Sequence, residues 1–183
     1  MADRRRILGA VIGGGQSLRF GSDKALALID GQPMMAHVIA ALRPQVDEIV
    51  ICGRAWPGFE SLADRRAPQS GPLAGLESAL HHAAANGFDA VVSVPVDTLP
   101  LPGDLVERLE GNGPAIFEQQ YLIGYWPVAC LVDLEDQLAS GAFGVRAWAS
   151  RAGARLVSEP FAIANINRPA DIVERLGTIE PPN

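Results

Sequence analysis

The chain has 183 residues, 48% of them hydrophobic and 20% charged, with a formal net charge of −6. That length and balance fit one globular domain with a sizeable core, and the acidic charge argues against a general nucleic-acid binder. No apolar run reaches the roughly 18 residues of a membrane span, and two cysteines, Cys52 and Cys130, without metal-ligand spacing argue against a disulfide framework or zinc site and suit a reducing cytoplasm.

The start, Met1-Ala2-Asp3-Arg4-Arg5-Arg6-Ile7-Leu8, imitates a secretion signal, with basic residues before apolar ones. The apolar run ends too early, at a glycine triplet, and no small-residue cleavage site follows. Arg4 to Arg6 are therefore expected to flank a first buried strand, Ile7 to Ile12. A glycine-rich loop comes next. Met34 to Leu42 carries apolar residues at helical spacing between Pro33, read as a first-turn residue after Asp30-Gly31, and Pro44. Glu48 to Cys52 is a second strand, and residues 53 to 71 read as a loop. Leu73 to Ala85 is an alanine-rich helix behind Gly71-Pro72, and Ala90 to Val94 is a third buried strand. Pro102 opens a helix through about Glu110. Pro114 to Phe117 and Tyr121 to Trp126 suggest a strand pair. Helices follow from Pro127 toward Leu138 and over Phe143 to Arg151, then a short strand at Ala154 to Val157. A last helix runs from Pro169 through Leu176, and the tail is expected to fray.

Short all-apolar strands alternating with helices predict an α/β fold: a Rossmann-like three-layer α/β/α arrangement with a mostly parallel sheet, covered on both faces, in one domain over residues 1–183. Such sheets bind ligands beyond the carboxyl ends of their strands. Three loops are expected there, 13 to 24, 53 to 71 and 95 to 101. No internal repeat or low-complexity segment interrupts the pattern.

The first of these loops is the most informative. Gly13-Gly14-Gly15-Gln16-Ser17-Leu18-Arg19-Phe20-Gly21-Ser22-Asp23-Lys24 ends on the only lysine of the chain, while the other fourteen formal cations are arginines. A compact ammonium can follow a moving phosphate more freely than a planar guanidinium. The stretch is not a P-loop, because two residues separate Gly21 from Lys24, nor a Rossmann fingerprint, because Leu18 holds the third glycine position. It can still wrap a triphosphate: successive N–H groups form an anion nest, and Arg19 and Lys24 can neutralise a transferred phosphoryl group and departing pyrophosphate. Asp97, in Val94-Pro95-Val96-Asp97-Thr98, lies just past a buried strand. A carboxylate there can hold Mg²⁺ through one oxygen while phosphates and water fill the octahedron, or it can cap a turn.

That glycine loop resembles the signature of the molybdenum cofactor guanylyltransferase (MobA-type) family. Gly71-Pro72-Leu73-Ala74-Gly75, Val94-Pro95-Val96-Asp97-Thr98 and Asn165-Ile166-Asn167-Arg168-Pro169 resemble three more family segments, in order, so that the likeness spans about residues 6 to 176. The resemblance implies a nucleotide-diphospho-sugar-transferase-like fold, Mg²⁺ as cofactor, and GTP and molybdopterin as substrates. The pterin's terminal phosphate would attack the α-phosphorus and pyrophosphate would leave. By position, Ile12, Gly13 and Gly14 would contact the nucleotide through backbone, Lys24 and Arg19 would meet its phosphates, Asp64 would contact the nucleotide, and Asp97 would ligate the metal. Asn165 and Asn167 would fall near the metal and the pterin, with Asn167 also a candidate helix cap. The protein is expected to be cytoplasmic and a monomer, and the resemblance suggests contacts with molybdoenzyme chaperones during delivery.

The sequence departs from the family pattern where recognition is concerned. Cys52, a poor hydrogen-bonding residue, stands where an asparagine often lies near the base or ribose. Leu99-Pro100, Gln120-Tyr121 and Arg168 replace a proline-aromatic pair, a His-Pro stretch and a threonine. Two further readings therefore stay open: a related nucleotidyltransferase using CTP or a sugar or alditol phosphate acceptor, and a non-catalytic nucleotide-binding carrier. A phosphate nucleophile needs no strong base, so His37, His81 and His82 are expected in structural or surface roles, and Tyr125, Trp126 and Trp148 in the core.

Overall fold

In the computed structural model, residues 4–13, 24–66 and 71–166 are described. Gly14, Arg19, the Lys24 side chain, Asn167 and the helix expected from Pro169 lie outside the described residues.

Eleven strands and five α-helices alternate along the described residues. In chain order they are β1 (Ile7–Ile12), β2 (Leu28–Ile29), β3 (Gln32–Pro33), α1 (Met34–Leu42), β4 (Glu48–Cys52), β5 (Glu60–Leu62), α2 (Pro72–Ala85), β6 (Ala90–Pro95), β7 (Thr98–Leu99), α3 (Leu105–Leu109), β8 (Ala115–Phe117), β9 (Gly124–Pro127), α4 (Leu131–Ala139), α5 (Val145–Arg151), β10 (Arg155–Val157) and β11 (Ala164–Asn165). Seven of them make one sheet in the order β10-β8-β9-β6-β1-β4-β5. Every neighbour in it is parallel except β9, which runs against both β6 and β8.

The apolar strand runs explain the layering. Along β1, Ile7 and Val11 join a core with α1 and α3, whereas Leu8, Ala10 and Ile12 join a second core with α2, α4 and α5. Alternate residues thus point to opposite faces, and both faces are covered, as an all-apolar parallel strand requires. Trp126 and Trp148 fill the second core with ring centroids 5.8 Å apart. The Trp126 indole N–H donates to Ser93 Oγ at 2.9 Å, and that hydroxyl donates to the Leu122 carbonyl at 2.6 Å, so these buried polar atoms are satisfied. Tyr125 lies in the opposite core. All three aromatics are core residues, as the sequence suggested.

Arg4, Arg5 and Arg6 do flank the first strand. Arg4 meets Asp47 at 3.2 Å, Arg5 donates to the Gly111 carbonyl at 2.9 Å, and Arg6 lies 4.3 Å over the Phe88 ring. They fasten the end of the sheet opposite the carboxyl ends of β1 and β6.

Several boundaries differ from expectation, each for a tertiary reason. Residues 53 to 71 are not all loop: Glu60–Leu62 pairs with Val50–Cys52 as an edge strand. Pro127 closes β9 opposite Ala90 instead of opening a helix, because the Val128 N–H is bonded to the Asp89 carbonyl at 3.0 Å. A short 3-10 turn follows before α4 begins at Leu131. The helix expected from Pro102 is confined to Leu105–Leu109, after a turn in which the Leu105 N–H reaches the Pro102 carbonyl. Asp30 and Gly31, both at positive φ, form the two-residue turn of the β2–β3 hairpin.

Candidate active site

The carboxyl ends of β1, β4, β5 and β6 lie side by side. Ile12 pairs in register with Cys52 and with Pro95, and Cys52 pairs with Leu62. Each strand ends within one residue of its neighbours, so the segments leaving them share one edge. The Gly13 N–H donates to the Cys52 carbonyl at 3.0 Å, the Gly53 N–H to the Leu62 carbonyl at 2.8 Å, and the Val96 N–H to the Ile12 carbonyl at 3.2 Å. The backbone of Ile12 and Gly13 thereby enters the glycine loop fixed on both sides.

Gly13 sits at a crowded point. A Cβ there would lie 2.7 Å from Cδ of Arg54, whose side chain packs over the start of the glycine loop. Arg54 also lines a cavity of about 330 Å³ with Gly53, Ser61, Leu62, Ala63 and Asp64. The Asp64 carboxyl is half-buried there, and its partial burial raises its pKa above the usual carboxylate range. The Lys24 backbone begins a one-turn 3-10 segment, Lys24–Leu26, and Ala25 beside it is fully buried.

Cys52 sits differently from a side-chain ligand. Its thiol is fully buried in the core beneath α2, where a Cβ on Gly75 would come within 3.1 Å of the Cys52 Cβ. Burial, with a smaller contribution from the Asp64 charge, pushes the thiol up to about 12. The group that this residue turns to the loop is its backbone carbonyl, so the sequence substitution at this position leaves recognition to neighbouring atoms.

Asp97 follows β6 by two residues, and a second, two-stranded sheet brings Asn165 to it. Thr98 of β7 stands opposite Asn165 of β11, and the Ile166 N–H donates to the Asp97 carbonyl at 2.7 Å. The buried Thr98 hydroxyl lies 3.1 Å from Asn165 Oδ1 and 3.5 Å from Asp97 Oδ1. A single hydroxyl proton makes the shorter contact the stronger bond. Thr98 thus ties Asp97 to a residue that lies 67 positions from Thr98 in the chain. In sequence Thr98 is only the residue after Asp97; its tie to Asn165 depends on a pairing between distant segments.

This oxygen set suits a divalent metal. Asp97 carboxylate and the Asn165 amide oxygen are hard donors on one edge. Among the described residues, the only trio of ionisable ligand atoms close enough to share an ion is elsewhere, Glu77, His81 and Glu135, within 4.8 Å of one another. A site with one carboxylate and no closed cage of protein ligands fits Mg²⁺, which keeps waters and substrate phosphates in its shell.

The histidines stand away from this edge chemistry. His37 Nε2 lies 2.8 Å from the Ile29 carbonyl, His81 Nε2 2.9 Å from Glu135 Oε1, and His82 Nδ1 3.4 Å from Glu60 Oε1. Among the described residues, no helix is long and apolar enough to cross a membrane.

A family model described as a MobA-like NTP transferase domain matches residues 9–156. A molybdenum cofactor guanylyltransferase of Cereibacter sphaeroides is 39% identical over 183 residues, covering 91% of this chain and 94% of the relative. One of the same name from Rhodobacter capsulatus is 35% identical, covering 91% and 93%. Among solved structures, molybdopterin-guanine dinucleotide biosynthesis protein A of Archaeoglobus fulgidus superposes with a TM-score of 0.67 at 18% identity, over 92% of this chain and 95% of that one. The 2-C-methyl-D-erythritol 4-phosphate cytidylyltransferase of Thermus thermophilus gives 0.66 at 16%, over 92% and 95%. At those identities the structural likeness speaks to the fold, a nucleotidyltransferase fold of the nucleotide-diphospho-sugar type. With four strand ends feeding one edge and a family model spanning most of the sheet, the chain belongs to the MobA-like NTP transferase family.

Proposed function

We propose that this nucleotidyltransferase moves GMP from GTP to molybdopterin, releasing pyrophosphate and forming the guanine dinucleotide form of the cofactor. The observation that carries the reading is the convergence of Ile12, Gly13, Asp64 and Asp97 at one sheet edge, in a chain whose curated relatives carry the guanylyltransferase name. A bond forms between the pterin phosphate oxygen and the α-phosphorus, and the bond from that phosphorus to the β-phosphate bridging oxygen breaks.

Each residue of this chain contributes position or charge. Backbone groups at Ile12, Gly13 and Gly14 cradle the nucleotide at the carboxyl end of β1. Arg19 and Lys24 neutralise the phosphates and the departing pyrophosphate. Asp64 orients the nucleotide beside the Arg54 cavity. Asp97 would hold Mg²⁺, which when bound neutralises phosphate charge. Asn165, tied to Asp97 through Thr98, and Asn167 face the acceptor. Nothing in this scheme needs a general base, because a phosphate monoester is already ionised near neutral pH.

The test is calorimetric binding of GTP, CTP, ATP and UTP with and without Mg²⁺, on wild type and Lys24→Ala, followed by pyrophosphate release with molybdopterin. Selective GTP binding that the substitution weakens, with GTP-dependent pyrophosphate release, supports the reading. No pyrophosphate release from GTP with molybdopterin present would sink it. The buried Cys52 thiol motivates a second reading, in which CTP replaces GTP, because no side-chain donor or acceptor at position 52 reads the base. Stronger binding of CTP in the same series would move the assignment there.

A further inference from the structure

Asp64 follows a short edge strand of the sheet. β5 has three residues, Glu60 to Leu62, and pairs only with β4 at the sheet edge. A strand that short does not by itself fix the segment that follows it. Residues 63–66 form neither helix nor strand, yet Asp64 is held half-buried against the cavity.

What holds the segment is helix α2. Ser78 Oγ donates to the Ala63 carbonyl at 3.0 Å, and it also lies 3.1 Å from the Ala74 carbonyl of its own helix. On the other side of Asp64, the Arg66 guanidinium grips the Glu77 carboxylate: Nε lies 3.0 Å from Oε1 and 2.9 Å from Oε2, and an Nη lies 2.8 Å from Oε1. A further Arg66 Nη contact reaches the Glu135 carbonyl of α4 at 3.4 Å. Glu77 and Ser78 are consecutive, and both are buried, at 2% and 5% exposure. A fully buried glutamate is rare unless paired, and a planar guanidinium fork is the group that satisfies it with fixed geometry. The same fork makes Glu77 an ion-pair partner, not a free metal ligand, so its closeness to His81 and Glu135 reads as one polar network.

We propose that Arg66, Glu77 and Ser78 are positioning residues for nucleotide recognition: gripping the chain one residue before and two residues after Asp64, they lock segment 63–66 onto α2 and hold the Asp64 carboxyl at the nucleotide. This rests on the nucleotidyltransferase reading above. Helix α2 itself starts at Gly71-Pro72 and packs through Gly75 against Cys52 and Ile12, so the clamp ties Asp64 to the frame that carries the strand ends.

Arg66→Ala and Ser78→Ala in the full chain test this, the second removing one hydrogen bond and no charge. The first readout needs no nucleotide: a carbon-13 NMR titration of the Asp64 side-chain carboxyl. In wild type it titrates above the usual carboxylate range; in both variants it moves down toward it as the carboxyl swings into water. Loss of the Arg66 cation alone would raise it, so a fall reports lost position. The second readout is steady-state kinetics with GTP and molybdopterin: Arg66→Ala raises the KM for GTP about tenfold with kcat within about twofold, the pattern of lost ground-state binding, and Arg66→Lys recovers part of it. An Asp64 titration unmoved in both variants overturns the clamp, and a fall in kcat at unchanged KM overturns the recognition role. A wild type that binds no nucleotide defeats the functional reading instead, while the titration still decides the clamp.

Discussion

At the scale of single residues, two carboxylates at one edge have different surroundings. Asp97 is tied to Thr98 and Asn165, and its carboxylate and the Asn165 amide oxygen are hard donors that suit a metal. Asp97→Asn keeps its shape and removes its charge; kcat is expected to fall about 10²–10³-fold, the usual cost of losing one well-placed charge-stabilising group, with the melting temperature nearly unchanged. Single-turnover rates on the variant measure this. Asp64 is held partly out of water, and its raised pKa has a consequence for stability. The folded protein keeps the Asp64 proton at a pH where the unfolded chain has lost it. Stability from this group is therefore present below the unfolded value of about 3.8 and falls as pH rises through the higher folded value. Asp64→Asn removes the penalty of an ionised, desolvated carboxylate. Denaturant titrations are expected to find the variant more stable than wild type near pH 7, with the difference vanishing at acidic pH, while its GTP binding is weaker. Equal stability at neutral pH would contradict the desolvated state of this carboxyl.

At the scale of elements, the strand ends and helices that build the site were legible, and the tertiary devices joining them were not. β1, β4 and β6 announce themselves as short apolar runs, and α1 and α2 by periodicity and their proline starts. β5 is three residues, Glu60-Ser61-Leu62, whose polar composition gives no strand signal; only its neighbour β4 makes it one. β7 and β11 are two residues each and exist through pairing across the chain, so no local window contains them. Asp97 could be named from its place just past a buried strand and Asp64 only through the family resemblance, but the Thr98 bridge and the Arg66–Glu77 grip need coordinates. The close approach of α2 to the sheet is another such device. Gly75 faces Cys52 and Ile12, and a Cβ there would already be 3.1 Å from Cys52 Cβ. Gly75→Val adds two methyl groups beyond that point and is expected to destabilise the fold by about 1–3 kcal/mol through overpacking. Urea unfolding measures it, and a neutral result would mean that α2 can lift from the strand ends without cost.

At the scale of the whole molecule, the two ends of the sheet do different work. Arginines 4 to 6 bind carboxylates, carbonyls and the Phe88 ring at one end, and the candidate site occupies the other. A ligand that binds only the folded state raises stability by about 2.7 kcal/mol at a hundredfold excess over its Kd. For a chain of this size, about 2–4 °C per kcal/mol makes that a shift of roughly 5–11 °C. Thermal melts with GTP and Mg²⁺ are expected to show such a shift, smaller when Mg²⁺ is chelated, because in the proposed scheme the phosphates would then face Asp97 without a cation between them. Arg5→Ala separates the two ends. It removes bonds to Glu110, the Gly111 carbonyl and Asn112. The melting temperature of the free protein should drop modestly, since these are exposed contacts, each worth about 1 kcal/mol or less. The increment added by GTP should stay the same, because a folded-state binding term adds to whatever stability the scaffold has, provided the site keeps its shape. A GTP increment that shrinks in Arg5→Ala would show that fastening the far end of β1 also sets the geometry of Ile12 and Gly13, and the strand would then be a lever between the two ends instead of a rigid spacer.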